Sequence, residues 1–224
     1  MTAIISVKSV NKTFNTKNDY IKALISVDLE IKKGSFTVIL GRSGSGKSTL
    51  LNLIAGLDSV SSGEITVNNQ LINRLNPAKL AKYRSKNGII FQSYNLLPNL
   101  NALENVMMGA WAGGNKTTKE AGEKLLEKFS LSHRSNSNVK TLSGGEKQRV
   151  AICRSLISNP EILFCDEPTG ALDTQNELQV MDILKDLHKN GLTIVMVTHN
   201  PEFRDLANQI VEMSDGKITK ITNK

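Results

Sequence analysis

Hydrophobic and polar positions along the chain form two kinds of strand pattern. Over Ile4 to Val10, Lys22 to Ile31 and, more briefly, Glu64 to Val67, apolar residues alternate with polar ones, as in strands with one buried face. Turn dipeptides such as Lys33-Gly34 and Asn68-Asn69 follow them. The expectation is an antiparallel β edge layer. A second set is apolar on both faces: Phe36 to Leu40, Gly88 to Phe91, Ile162 to Cys165 and Thr193 to Val197. Strands of that kind suit a central parallel sheet covered by helices.

Helix starts are signalled by Ser, Thr or Asn followed three residues later by Glu, a spacing that satisfies two unpaired backbone donors. Asn101 with Glu104, Thr117 with Glu120, Ser143 with Glu146 and Thr174 with Glu177 all fit, and Asn200 before Pro201 announces a further helix. Residues 1–224 read as a single α/β domain, strand then helix, with a mostly helical insertion over about 95–155. Residues 112–117, Ala-Gly-Gly-Asn-Lys-Thr, are the best candidate for a flexible loop.

Composition narrows the class. Hydrophobic residues make up 39% of the 224, an ordinary globular share once Gly is added, which excludes disordered and fibrous chains. No stretch approaches the ~18 consecutive apolar residues of a bilayer-spanning helix, and the first ten residues lack a secretory core, so the chain is expected to be soluble and not exported. Cys153 and Cys165 fall inside apolar segments, as inert thiols in a reducing compartment do. The net charge of +7 is spread thinly along the chain as Lys, and no nucleic-acid partner is expected from it.

The first segment with evident chemistry is Gly41-Arg42-Ser43-Gly44-Ser45-Gly46-Lys47-Ser48-Thr49, which follows the apolar strand directly and opens an apolar helix pattern, Leu50 to Leu57. This is G-x-x-x-x-G-K-[ST] between a strand and a helix. Its glycines let successive N–H groups point at one centre, and the helix adds its positive end. A nucleotide polyphosphate fits such a cradle. Lys47 is expected against the β and γ phosphates, Ser48 on Mg²⁺, and Thr49 at the α phosphate.

Two carboxylates, Asp166 and Glu167, end the apolar strand that starts at Ile162, and Pro168 stops it. In doubly wound sheets ligands sit at the C-terminal strand ends, so Asp166 is placed to hold Mg²⁺ and Glu167 to accept a proton from water. Thr193 to Thr198 delivers His199 to the same end, where it can meet a γ-phosphate oxygen and hold Glu167 and water in line. Gln92, after the strand ending at Phe91, is a further candidate for Mg²⁺ or the water.

Ser143-Gly144-Gly145-Glu146 opens a helix with two glycines in its first turn, each costing roughly 1 kcal/mol relative to Ala. That cost implies that something comes very close to the backbone, as at a second anion site. With this element the chain resembles the ATP-binding cassette (ABC) ATPases over essentially its whole length. The cradle Gly41 to Thr49, Gln92, Leu142 to Gln148, Asp166-Glu167, Ala171-Leu172-Asp173 and His199 match in order. Arg42 and Glu146 depart from the commonest family residues without touching a group assigned to chemistry. Glu167 to Asp173 with Thr198 to Glu202 looks most like the macrolide-export, lipoprotein-release and antimicrobial-peptide-resistance branch.

The resemblance implies a P-loop NTPase core, ATP and Mg²⁺ as cofactors, and a head-to-tail dimer, as a homodimer or with a related cassette. In that dimer Ser143, Gly144 and Gly145, with Glu146 beside them, close over the γ phosphate held by Lys47 of the other subunit, and Asp173 communicates across the interface. It also implies that Phe14 stacks on adenine, with Tyr20 the alternative. The partner it implies is a separate transmembrane permease docked near Gln92 to Leu100 and the helical insertion, which puts the subunit in the cytoplasm, peripheral on the inner face of the membrane. Two competing readings remain. One is a soluble cassette ATPase acting on nucleic acid or ribosomes; the other is a P-loop kinase, which would not need the Ser143-Gly144-Gly145 element.

Overall fold

The computed structural model describes residues 2–15, 19–111 and 118–224. Strands β1 (Ala3–Asn15) and β2 (Tyr20–Lys32) form a long antiparallel ribbon. With β4 (Ser62–Val67) and β5 (Gln70–Leu71) they make a four-stranded sheet in the order β2-β1-β4-β5. Its register pairs apolar residues on the inner face: Ile5 lies opposite Ile31 and Val67, and Val7 opposite Leu29 and Ile65. Asn68 and Asn69 both take positive φ, 49° and 60°, the two-residue hairpin turn that matches strand twist.

The second sheet has six strands. Its parallel members are β3 (Phe36–Leu40), β6 (Asn87–Ile90), β7 (Ile162–Asp166), β8 (Thr193–Thr198) and β9 (Gln209–Ser214), with β10 (Lys217–Asn223) antiparallel on the edge. The order is β10-β9-β3-β8-β7-β6. Side chains of the central strands alternate between two cores. Phe36, Val38, Leu163, Cys165, Ile194 and Met196 face one side; Ile39, Ile162, Phe164, Val195 and Val197 face the other. A strand with a core on each face has no polar position to show, which is why these segments read as unbroken apolar runs. The fold is therefore the expected mixed, mostly parallel α/β arrangement.

Helix α1 (Lys47–Ile54) packs between this sheet and the antiparallel one. On the opposite face lie α3 (Ala102–Trp111), α5 (Gly144–Leu156) and α6 (Thr174–Lys189). Among the described residues two further short helices are α2 (Pro77–Arg84) before β6 and α4 (Lys119–Lys128) between α3 and α5. The segment between β6 and β7 thus carries α3, α4 and α5 in succession. Among the described residues no helix is long and apolar enough to cross a membrane. Both cysteines are free and fully buried, and burial pushes their thiols up.

Two expected caps form as read. Asn101 and Glu104 bond each other's backbone N–H, and so do Ser143 and Glu146. Two others differ. Thr117, like the loop expected over 112–117, lies outside the described residues, and the cap of α4 is Thr118, which accepts from Ala121 N. Asp173, not Thr174, caps α6, because its carboxylate is a ready acceptor one residue earlier and takes the Asn176 N–H at 2.9 Å. Asn200 does cap, but the turn it starts, Pro201–Leu206, is a 3-10 helix.

Candidate functional site

The loop between β3 and α1 closes into a cradle because its glycines take conformations other residues resist. Gly46 sits at φ 96°, and a Cβ there would lie 2.6 Å from the Ala23 carbonyl, so only glycine fits. Helix α1 then starts with no side-chain cap and no acid in its first turn. No side chain of the helix itself compensates its positive end. Lys47, only 6% exposed, folds back to donate to the Gly41 and Arg42 carbonyls at 2.9 and 3.1 Å. Ser45 Oγ is buried there with no partner. Residues 42–49 line an open cavity of about 680 Å³ with Gln92, Glu167 and His199, and Ile21, Lys22 and Ala23 form its far wall.

Strand β7 adjoins β8 in parallel, and β8 adjoins β3, so their C-terminal ends open on the same side. Asp166 reaches the cradle through Ser48, whose hydroxyl donates to Asp166 Oδ1 at 2.8 Å. Burial pushes the Asp166 carboxyl up and neighbouring Glu167 adds to this, while Ser48 and Lys47 oppose it. Glu167 sits at φ 46°, in the left-handed region, a strained position for a non-glycine. Three bonds hold it there: its N–H to the Val197 carbonyl, the Gly170 N–H to its own carbonyl, and Gln148 Nε2 to the Pro168 carbonyl at 2.6 Å. The strain directs the carboxylate at His199, whose Nδ1 lies 2.9 Å from Oε2.

The contact fixes His199's options. With Nδ1–H engaged by the carboxylate, a neutral ring offers only a lone pair at Nε2. A bond from His199 to a phosphate oxygen therefore requires the ring to release Glu167 or take up a proton.

The structure brings residues 42–49, Gln92, Glu167 and His199 together and places Gly41 and Asp166 directly behind them. It does not bring Ser143, Gly144, Gly145 or Glu146 to this cavity. They open α5 elsewhere on the surface, with Ser143 and Gly144 exposed and Gly145 buried. The close approach expected at the double glycine has an internal cause at Gly145: a Cβ there would fall 1.8 Å from Asn176 Oδ1 of the same chain. Gly144 has no neighbour so close: an added Cβ would meet Tyr94 Oη at 3.3 Å, Leu172 Cδ2 at 3.8 Å and the Ala171 carbonyl at 4.0 Å. The Ser143 backbone N–H, aided by Arg134, holds Glu146 below the usual glutamate range.

Phe14 is 40% exposed and does not line the cavity, although Ile21, its partner across the ribbon, does. Tyr20, at 74% exposure, is absent from the lining too. Sequence reasoning missed two residues that hold the site. Gln148, fully buried, fixes the peptide after Glu167. Glu177, expected to serve a cap, instead accepts at Oε1 from Thr169 Oγ1 and from Asn200 Nδ2, both at 3.0 Å. It thereby ties the segment after Glu167 to the residue after His199. A polar residue on the helix directly following the Glu167 loop was the available signal for Glu177; no spacing connects Gln148 to that loop.

Comparison with known proteins places these features in context. The family model described as ABC transporter matches residues 24–170. The chain is similar to the macrolide export ATP-binding/permease protein MacB of Neisseria meningitidis serogroup B, at 40% identity over 99% of this chain and 35% of that protein. It thus spans about a third of the length of such relatives. It is also 40% identical to the lipoprotein-releasing system ATP-binding protein LolD of Pseudoalteromonas translucida, over 96% of this chain and 95% of that one. Among solved structures, the dimeric post-hydrolysis state of the ATP-binding cassette MJ0796 bound to ADP and Pi superposes with a TM-score of 0.91. It is 36% identical and covers 98% of both chains.

Proposed function

Because the chain belongs to the ABC transporter family and is an ATP-binding, ATP-hydrolysing subunit, we propose that residues 41–49 hold the triphosphate and that Glu167 activates water against it. The supporting observation is the convergence of Lys47, the Ser48–Asp166 bond and the Glu167–His199 pair on one opening. Nucleotide entering the cradle draws the Lys47 ammonium from two neutral carbonyls to phosphate oxygens, a stronger charge-assisted interaction. Glu167 takes the proton of a water whose oxygen attacks the γ phosphorus as the bond to the β–γ bridging oxygen breaks.

Ser48 Oγ and Asp166 Oδ1, two hard oxygen donors already within hydrogen-bond distance, fit Mg²⁺, with the Gln92 amide oxygen as a further donor. Bound there with phosphate oxygens, the ion would neutralise charge on the leaving ADP. The raised carboxyl of Asp166 agrees with a group that gains from a cation.

Exposed Ser143 and Gly144 at an N-terminal helix end, remote from their own cradle, support a head-to-tail pair in which they cover a partner's γ phosphate. The dimeric MJ0796 cassette supports it further. Moving such a pair from 1:99 to 99:1 closed takes about 5.5 kcal/mol of differential binding. Two shared γ phosphates, at roughly 1.5–3 kcal/mol per charge-assisted hydrogen bond, supply it. ADP lacks the shared group, so hydrolysis reopens the pair.

Residues 1–224 act in this reading as one ATPase domain, with the helical segment about 95–155 as the moving part. A transmembrane permease is the partner that feels the movement, at the inner face of the membrane. A groove lined by Phe91, Leu97, Met108 and Arg154 beside that segment, about 500 Å³, supports the docking place.

The test is Glu167→Gln beside Lys47→Ala. Glu167→Gln retains ATP binding, loses turnover and accumulates a dimer with ATP and Mg²⁺ in light scattering, whereas Lys47→Ala loses nucleotide binding. A Glu167→Gln protein that stays monomeric, or a Lys47→Ala protein with undiminished ATP affinity, overturns the reading.

A further inference from the structure

We propose that Lys12 is a positioning residue that sets the Phe14 ring as the platform for the base of the nucleotide, a role resting on the reading of residues 41–49 as the nucleotide cradle. Lys12 is 8% exposed, an unusual state for a lysine, and its ammonium is held by two hydrogen bonds. Nζ donates to Asp58 Oδ1 and to the Ser59 carbonyl, both at 2.7 Å, in the turn after α1. From that anchorage it stands 4.7 Å from the centroid of the Phe14 ring, within cation–π range.

The register gives the contact its meaning. Phe14 pairs across the ribbon with Ile21, which walls the cavity, so the two side chains share one face of the sheet. Among the described residues the lining contains no Phe, Tyr or Trp, although a purine needs a flat apolar surface. The family resemblance implies that Phe14, 40% exposed, is that surface. A phenyl ring has no hydroxyl by which hydrogen bonds can orient it. Here a buried cation covers one face, fixes the plane and draws electron density toward itself, so the free face accepts an electron-rich base better. The triphosphate is held by other residues, and it follows that Lys12 contributes to affinity through the base alone.

A structural role for Lys12, tying β1 to the turn after α1, would affect every ligand of the cradle alike. Calorimetry on the full chain with ATP and with inorganic tripolyphosphate separates the two. Lys12→Met weakens ATP binding about three- to tenfold, the range of a partly desolvated cation–π contact, and leaves tripolyphosphate within about twofold. Lys12→Arg retains most ATP affinity. In a Phe14→Leu background, Lys12→Met has no further effect. Lys12→Gln, which keeps a polar partner for Ser59, gives the same readout should the Met variant not fold.

Equal losses for both ligands, or a Lys12 effect that simply adds to that of Phe14→Leu, overturn the proposal. A wild-type chain that fails to bind tripolyphosphate, or a Lys47→Ala chain that binds it normally, overturns the cradle reading and this proposal with it.

Discussion

Removing the Glu177 carboxylate tests whether the two loops that carry Glu167 and His199 are held by helix α6 rather than by their own turns. Among the described residues Oε1 is the sole acceptor for Thr169 Oγ1 and Asn200 Nδ2, two residues from Glu167 and one from His199. Thr169 is 7% exposed, so its hydroxyl has little water to turn to. Two hydrogen bonds to a carboxylate are worth roughly 1.5–3 kcal/mol each, and a half-buried acceptor belongs at the lower end. Glu177→Ala should therefore cost about 2–3 kcal/mol. For a chain of this length that is a fall in Tm of about 4–12 °C in thermal unfolding without nucleotide. The cradle is untouched, so KM for ATP holds while kcat falls about tenfold or more as Glu167 and His199 lose alignment. Glu177→Gln, which keeps Oε1 as an acceptor, should fall between the two. A Glu177→Ala protein with Tm within about 1 °C and kcat within about twofold of wild type would refute the reasoning.

Asp166→Asn should raise the Tm of the nucleotide-free protein while lowering Mg²⁺-dependent turnover by at least about a hundredfold. Burial raises the folded carboxyl, so the stability it provides when protonated is present at low pH and lost as pH rises through the folded value. The stabilising gain of Asn should grow toward neutral pH and vanish in acid; a gain independent of pH would refute it. Glu146 has the opposite sign. Its folded value is depressed, so its contribution is present above the ordinary glutamate range and disappears as pH falls through the folded value. Glu146→Gln should lower Tm at pH 7 and converge with wild type in acid unfolding; a gap that persists there would contradict it.

Much of the site was legible because its chemistry is local in the chain. Strand β3, the glycine loop and α1 are contiguous, and Asp166, Glu167 and His199 each end an apolar strand whose two-sided burial was visible as an unbroken run. What escaped depends on contacts distant in sequence. Helix α2 buries only Tyr83, so no apolar stripe announces it. Strands β9 and β10 went unread. Glu177 matched a capping pattern that Asp173 pre-empts, and its true partners are 8 and 23 residues away. The double glycine pointed to a close approach, but for Gly145 the visitor is Asn176, which no spacing rule connects to it.

The central claim, two cradles each closed by the other subunit's α5, is tested most directly by an engineered crosslink. Cys153 and Cys165 are fully buried and burial raises both thiols, so a maleimide reads only introduced cysteines. Ser43→Cys and Ser143→Cys, placed on separate copies of the Glu167→Gln chain and treated with a short bis-maleimide, should join into a dimer with ATP and Mg²⁺ but not with ADP. Absence of that product with ATP, or an equal yield with ADP, would contradict the account.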